Sequence, residues 1–333
     1  MLQSLFRAFA SRVRRAAPSL GALVLIANRD LESRLVRGAA FQKAGRLRKA
    51  EAIYKSVLSR APASSNALNL LATVEHARGD LDRAEELVRS ALAIHPEEVE
   101  YLNTLGTILG DAGRLSAAAL AYREALRIAP RALRPRSNLL FLLNLVPGVS
   151  RDEFLSEHIA WSRIHEDPLM TGVRGFAQNG RNCNGDRNPQ RLRIGYVSGD
   201  FWGGHPVGRI ISAVLPRHDR ESHEIFCYDN TRAQDNVRAS LCSHADNWIE
   251  IRDMDDGSLA QRIRADRIDV LVDLSGHTRN NRLLAFARRP APVQVSWLGY
   301  LNTTGMRAMD WRLVTPFSEL PGAEEFHTER LWK

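Results

Sequence analysis

Cysteine is scarce. Cys183, Cys227 and Cys242 are the only three in 333 residues, and they form no Cys-x-x-Cys pair. An odd count without paired spacing argues against a disulfide framework or structural zinc site and fits a reducing, cytoplasmic setting. No Gly-x-Gly-x-x-Gly occurs, so the dinucleotide fingerprint is missing and a dehydrogenase is disfavoured. Long apolar runs are absent too. The stretch Gly21–Ala27, which comes after an Arg-rich start at Met1–Ala17, is far short of the roughly 20 residues that span a bilayer. No small-x-small cleavage pattern succeeds it. The basic amphipathic start reads as a cap on the helical region next to it; a membrane-surface helix is the other reading.

Lysine-rich blocks, zinc patterns and RNA-binding aromatic motifs are missing as well. The net charge of +8 and pI of about 9.8 come from arginines scattered along helices and loops. That argues against a nucleic-acid partner and leaves an acidic surface or a phosphate-bearing ligand compatible with the charge. With 44% hydrophobic and 25% charged residues, the chain has the make-up of a soluble protein of about two domains.

What is present begins with a period. Gly45, Gly79 and Gly113 stand 34 apart, and Ala50, Ala84, Ala118 and Pro62, Pro96, Pro130 keep the same step. Three position types in register match the tetratricopeptide repeat, a helix–turn–helix unit of about 34 residues. Each glycine opens the turn between two helices, each alanine sits where they approach closely, and each proline closes the unit. Tyr54 and Tyr122, with Val88 in the middle unit, fill the space between helices. The expected organisation is a basic cap over 1–30 and repeats over 31–64, 65–98 and 99–132. A capping helix at Arg136–Leu145 ends the repeat region at 145. Such stacks present a groove to polypeptides. Asn69, Asn103 and Asn138 recur near the repeat step at positions expected to be exposed, where a ladder of amides would hydrogen-bond an extended peptide. Plain helix-surface asparagines would give the same spacing.

Beyond Val146-Pro-Gly148, one amphipathic helix (Arg151–His165) and a polar, Gly/Asn-rich linker (Gly172–Gln190) fill 146–190. From 191 to 333 the period changes. Strand-like runs at Leu192–Ser198, Glu224–Tyr228, Trp248–Ile251, Ile268–Leu274, Val293–Leu298 and Trp311–Val314 have helical patterns between several of them. This predicts a parallel, doubly wound α/β sheet. Chemistry-bearing residues gather at strand ends. The first strand leads to Asp200, His205 and Pro206, just before an apolar helical run at Val207–Leu215 whose N-terminus favours anions. The fourth leads to Asp273, Gly276, His277 and Thr278, and the fifth to Tyr300, Thr303, Thr304 and Gly305. In an open α/β sheet these loops meet at the ligand-binding edge. Taken singly, each histidine has the alternative of a satisfied loop residue, and Asp273 that of a loop cap.

These segments resemble the protein O-GlcNAc transferase family, including its bacterial and SPINDLY-like members. The resemblance rests on Leu192-Arg-Ile-Gly-Tyr-Val-Ser-Gly-Asp-Phe…His205-Pro206, Phe226-Cys-Tyr228, Ile268-Asp-Val-Leu-Val-Asp-Leu-Ser-Gly-His-Thr278, Arg289-Pro-Ala-Pro-Val-Gln294 and Trp297-Leu-Gly-Tyr300…Gly305. Repeats ahead of such a region fit the same architecture, so the likeness runs from about Leu31 to Lys333. It implies an α-α superhelix of tetratricopeptide repeats followed by a Rossmann-like lobe, the first half of a GT-B glycosyltransferase. It further implies transfer of N-acetylglucosamine from UDP-GlcNAc to Ser or Thr of proteins, with inversion and without a metal or other cofactor. His205 takes the place of the family's motif histidine, a base or a contact to sugar and phosphate. Polypeptide acceptors would lie along the repeats.

The chain departs from that pattern in places. The family's Pro-Gly-Thr-Ser-Gly loop reads Leu301-Asn-Thr-Thr-Gly305, and Thr315-Pro316 stands where an aspartate is usual after Met309-Asp310-Trp311. The chain ends at Lys333, where the first lobe of the family hands over to the nucleotide-sugar lobe. A polypeptide of these 333 residues alone is therefore expected to be inactive and prone to self-association at its uncovered edge. A non-catalytic peptide-binding scaffold and a GDP-fucose donor are the alternatives.

Overall fold

The structure, a computed structural model, describes residues 20–170, 191–319 and 321–333. The amphipathic start, Cys183 and the linker at 172–190 lie outside these. The chain divides into two compact units between Ala121 and Tyr122.

The first unit is helical. Helices α1 (Leu20–Lys43), α2 (Leu47–Leu58), α3 (Ser65–Ala77), α4 (Leu81–Ile94) and α5 (Val99–Asp111) succeed one another, and α6 (Leu115–Ile128) crosses into the second unit. Gly45, Gly79 and Gly113 adopt φ of 72°, 86° and 74°, left-handed geometry that glycine takes without strain. Ser64 and Asp80 cap α3 and α4 by accepting from the N–H groups of Ala67 and Arg83. Those two bonds satisfy donors that a helix start leaves free. Ala50, Ala84 and Ala118 are fully buried, as the spacing required. Tyr54 is also fully buried and donates to Gln42 Oε1, whose amide donates on to Thr73 Oγ1. One polar chain thus joins α1, α2 and α3. Helix α1 begins at Leu20, well before the expected repeat boundary at Leu31, since no proline interrupts the stretch between them.

The second unit opens with helices α7 (Leu133–Leu143), α8 (Arg151–His165) and α9 (Asp167–Met170). Then come β1 (Leu192–Ser198), α10 (Pro206–Val214), β2 (His223–Asp229), α11 (Asn236–His244), β3 (Asn247–Glu250), α12 (Asp256–Ala265) and β4 (Val270–Asp273). The remainder is α13 (Leu283–Phe286), β5 (Val293–Ser296), β6 (Trp311–Leu313), a 3₁₀ turn at Ala323–Phe326 and β7 (Arg330–Trp332). The strands form one sheet in the order β3-β2-β1-β4-β5-β6-β7, every neighbouring pair parallel. The doubly wound Rossmann-like topology is as expected, with β7 added at the edge. Three residues, only one of them aliphatic, gave β7 no period to read.

Both faces of the sheet are covered, so its strands carry apolar side chains in both directions. Phe226 and Tyr228 point into the core that holds Trp161, Leu271 and Phe286, while Ile225 and Cys227 point into that of Tyr196, Phe201 and Ile211. Trp161 comes from α8, which therefore packs on one face of the sheet. Its C-terminal cap, Glu166, is fully buried and accepts from the backbone N–H groups of Arg307 (3.0 Å) and Ala308 (2.6 Å). No helix among the described residues is long and apolar enough to cross a membrane.

A Cβ placed on Gly38 would lie 2.4 Å from the Tyr54 ring. Helix propensity alone favours Gly38→Ala by about 1 kcal/mol, whereas the clash with a buried ring costs about 1–3 kcal/mol. The clash is expected to win, so urea denaturation should show the variant less stable. A more stable variant would mean that the tight approach of α1 to α2 is absent.

Candidate functional site

The sheet order reverses direction between β1 and β4, and the carboxyl ends of these strands open the crevice where such folds bind ligands. Strand β1 runs into the loop Gly199–His205. The loop is held at three points: Ser198 Oγ accepts from the Asp200 N–H (2.9 Å), Thr231 Oγ1 from that of Phe201 (2.8 Å) and Asp235 Oδ2 from that of Gly203 (2.7 Å). Phe201 anchors it in the core with no exposed surface. His205, half-buried, is the N-cap of α10, and its Nδ1 accepts from the Val207 N–H at 3.3 Å. This bond fixes the tautomer: with Nδ1 occupied as an acceptor, the neutral ring carries its proton on Nε2. Asp200 stands beside it, its carboxyl pushed upward by burial and drawn partly back by the neighbouring His205. Pro206 is exposed at the first position of the helix.

The β4 loop is tied to this wall. The Asn230 amide donates to Asn280 O at 2.8 Å, and the Gly199 N–H reaches Ser275 Oγ at 3.5 Å. Thr278 is half-buried at the edge and donates to Ser275 O. Asp273 and His277 face the other way. Asp273 is completely buried, accepts from the N–H groups of Ser275 and Gly276, and is pushed up to about 6 by burial. It caps its own loop, the plainer of its two sequence readings. His277 is turned into the core, where Nε2 donates to Thr304 O (2.8 Å) and the ring meets Trp161 edge-on. Burial pushes His277 down to about 4.

The third loop is also inward. Tyr300 is 3% exposed. Its hydroxyl lies 2.7 Å from His158 Nε2, accepts from the Asn144 amide (3.0 Å) and is 3.1 Å from Leu140 O. His158 Nδ1 donates to Phe154 O, so Nε2 is the bare acceptor for the phenol. Thr303 and Thr304 have no exposed surface and give both hydroxyls to Glu329 (2.6 and 2.5 Å), which also takes the Thr304 N–H. A Cβ on Gly305 would strike the His158 backbone at 2.4 Å, and one on Gly276 would strike Tyr300 Cβ at 2.2 Å. Asp273, Gly276, His277, Tyr300, Thr303, Thr304 and Gly305 were expected as substrate contacts; in this structure they brace the loops from behind. Apart from His277 Nδ1, which has no partner among the described residues, their side-chain polar atoms are spent on buried partners because the β5 loop lies beneath α7 and α8. Asp200, His205, Pro206 and Thr278 remain at the edge. Glu329, which holds the third loop together, had no spacing signal in the sequence.

The asparagines correct a second expectation. Asn69 and Asn103 are only 6% and 7% exposed, and Asn138 is half-buried. They keep the repeat step but are sunk among the packed helices, and Asn69 Oδ1 has no partner among the described residues.

Comparison with known proteins agrees with this architecture. Residues 177–328 match the model for glycosyl transferase family 41, and residues 41–108 and 99–131 match tetratricopeptide repeat models. A probable UDP-N-acetylglucosamine–peptide N-acetylglucosaminyltransferase SPINDLY of Solanum lycopersicum is 32% identical over 201 residues, covering 58% of this chain and 20% of that protein. The UDP-N-acetylglucosamine–peptide N-acetylglucosaminyltransferase of Caenorhabditis elegans is 32% identical over 189 residues, 54% of this chain and 15% of its own length. The chain thus spans about a fifth or less of these relatives. A solved structure of a Thermobaculum terrenum O-GlcNAc transferase mutant is 35% identical and aligns with a TM-score of 0.82 over 91% of this chain and 57% of that one.

Glu329→Ala strips three donors of a buried acceptor. The expected loss is about 2–4 kcal/mol, read by chemical denaturation, with Glu329→Gln losing less; an unchanged midpoint for the alanine variant contradicts the bracing role. Acid should also loosen the unit. His277 and His165 are each pushed from 6.5 down to about 4 by burial, and His158 is pushed well below its usual value. Their depressed values give stability that is present above pH 6.5 and lost as pH falls toward about 4. Asp273, raised from 3.8 to about 6, has the opposite sign and loses stability as pH rises between those values. His218 is also lowered by burial and Asp200 raised by it; four histidines outweigh two carboxyls, so urea unfolding near pH 5 should require less free energy than near pH 7. Equal or greater stability near pH 5 contradicts this.

Proposed function

For a chain that carries tetratricopeptide repeats and part of the catalytic region of an O-GlcNAc-transferase-like protein, we propose a role in protein O-GlcNAc transfer. The repeats hold an acceptor polypeptide, and the β1 loop forms one wall of the site where N-acetylglucosamine passes from UDP-GlcNAc to a Ser or Thr hydroxyl. The transfer inverts the anomeric centre and uses no metal. The observation that supports this most is the placement of His205. It is partly open to solvent at the switch point of a doubly wound lobe, beside Asp200, Pro206 and Thr278, while the remaining motif residues of the β4 and β5 loops are committed to the core.

The His205 cap bond bears on its role. A general base needs a bare nitrogen directed at the hydroxyl. Here the bare nitrogen, Nδ1, faces the Val207 N–H, and Nε2 carries the proton. The assigned role is therefore hydrogen-bond donation from Nε2 to the sugar or to the diphosphate, where negative charge grows as the leaving group departs. The N-terminus of α10 adds its dipole to the same place. The acceptor proton then goes to another group.

A transfer assay on the protein at its full natural length separates the two roles. His205→Ala is expected to lower kcat by roughly 10²–10³, the usual loss for one charge-stabilising donor. The KM for an acceptor peptide should change less than about threefold. His205→Gln keeps a donor and should recover about tenfold or more of the lost kcat. A glutamine variant as inactive as the alanine variant would contradict donation and restore the base.

A further inference from the structure

Within the second unit, a cleft of about 390 Å³ opens between the end of α7, the start of α8, the β5 loop and the segment before β7. Leu143, Val146, Val149 and Phe154 give it apolar walls. The polar residues of its lining differ in whether they are free. Ser150 Oγ caps α8 by accepting from the Glu153 N–H, and Ser318 Oγ is bonded to Thr315. Glu319 and His327 are not used up in this way.

The His327 side chain is 3% exposed and that of Glu319 is 12% exposed. His327 Nδ1 donates to Ala323 O at 2.8 Å, so Nε2 of the neutral ring is a bare acceptor. Among the described residues Nε2 has no hydrogen-bond partner, and neither does Arg312 Nε behind it. The Glu319 carboxylate lies 3.7 Å from His327 Nε2 and 3.9 Å from Arg312 Nε, too far in both cases for a hydrogen bond. Arg312 spends its other nitrogens on Tyr300 O (2.7 Å) and Ser296 Oγ (3.4 Å). It also faces Glu329. Three carboxylates, Glu329, Glu319 and Asp273, thus share one guanidinium, and the one on the cleft side is Glu319. Arg151, at the rim, is exposed and rests over the Phe326 ring, where water screens its charge.

We propose that this cleft binds a primary amine: the side chain of a lysine in a bound polypeptide. The ammonium would donate to the Glu319 carboxylate and, after a small turn of the His327 ring that uncovers its buried Nε2, to that nitrogen, and the four-carbon stem would lie along Leu143, Val146, Val149 and Phe154. A buried carboxylate short of partners is costly, and a charge-assisted bond to an ammonium relieves that cost. An uncharged apolar side chain would leave both acceptors bare and a carboxylate would be repelled. The polypeptide part of this statement rests on the acceptor-binding reading above; the amine site itself does not.

The test uses the 333-residue chain with Nα-acetyl-lysine methylamide as probe, its binding followed by nitrogen–proton correlation NMR in the absence of any sugar donor. Saturable binding is expected, with chemical-shift changes at His327 and Phe154. The Nε-acetylated probe has the same stem and no charge and is expected to bind about tenfold weaker or less. Glu319→Gln should produce a similar loss for the amine and little change for the acetylated probe. Comparing the two probes on the unaltered chain keeps the test intact should the variant fold poorly. Equal binding of both probes, or binding of neither, overturns the proposal. So does full amine affinity in a folded Glu319→Gln variant. Because no transfer is measured, an inactive enzyme that binds the amine leaves this site standing, and an active enzyme that ignores the amine removes only this site.

Discussion

A buried phenol holds the second unit together. The Tyr300 hydroxyl joins the β5 loop to Asn144 beyond the end of α7, to His158 on α8 and to the vicinity of the Leu140 carbonyl. Each partner is buried or half-buried, so losing the hydroxyl would leave polar groups without water to replace it. The rest of the edge is arranged around that point. Tyr300 Cβ presses so closely on residue 276 that only glycine fits, with φ of 54°. Gly276 and Ser275 give their N–H groups to Asp273, and Ser275 Oγ meets Gly199 at the root of the His205 loop.

This bracing explains why so many conspicuous residues lie out of reach of a ligand. A histidine in Gly-His-Thr and paired threonines before a glycine look like chemistry when read along the chain. In the fold they are fixed from behind: His277 by the Thr304 carbonyl, Thr303 and Thr304 by Glu329. The wall that faces outward is small, and His205 on it is oriented by the first turn of α10. Rigid support behind a few exposed groups is what a site needs if it is to meet developing charge without reorganising.

Much of the architecture was legible in the sequence because it is periodic. The 34-residue step placed the turn glycines and close-packed alanines correctly, and apolar runs between helical patterns gave six of the seven strands and the parallel sheet. Side-chain direction was not legible. Whether Asp273 faces a crevice or caps its own loop depends on contacts with residues near and far in the chain, and no local pattern encodes them. Glu329 is the clearest case: one acidic residue beside a three-residue strand, it has no periodic neighbour, yet three donors converge on it. The depth of Asn69 and Asn103 escaped for a related reason, since the repeat step gives position along a helix and not the cover above it.

Of the buried and half-buried histidines at this edge, His205 alone is turned outward, and its Nδ1 bond places the ring proton on Nε2. Nitrogen-15 NMR of histidine-labelled protein, recorded before and after addition of UDP-GlcNAc, tests it directly. The expected result is a neutral His205 tautomer with Nδ1 bare and Nε2 protonated, whose resonances move on addition of the nucleotide sugar while those of His158 and His277 stay fixed. A proton on Nδ1 of neutral His205, or a response at His277 in place of His205, would contradict it.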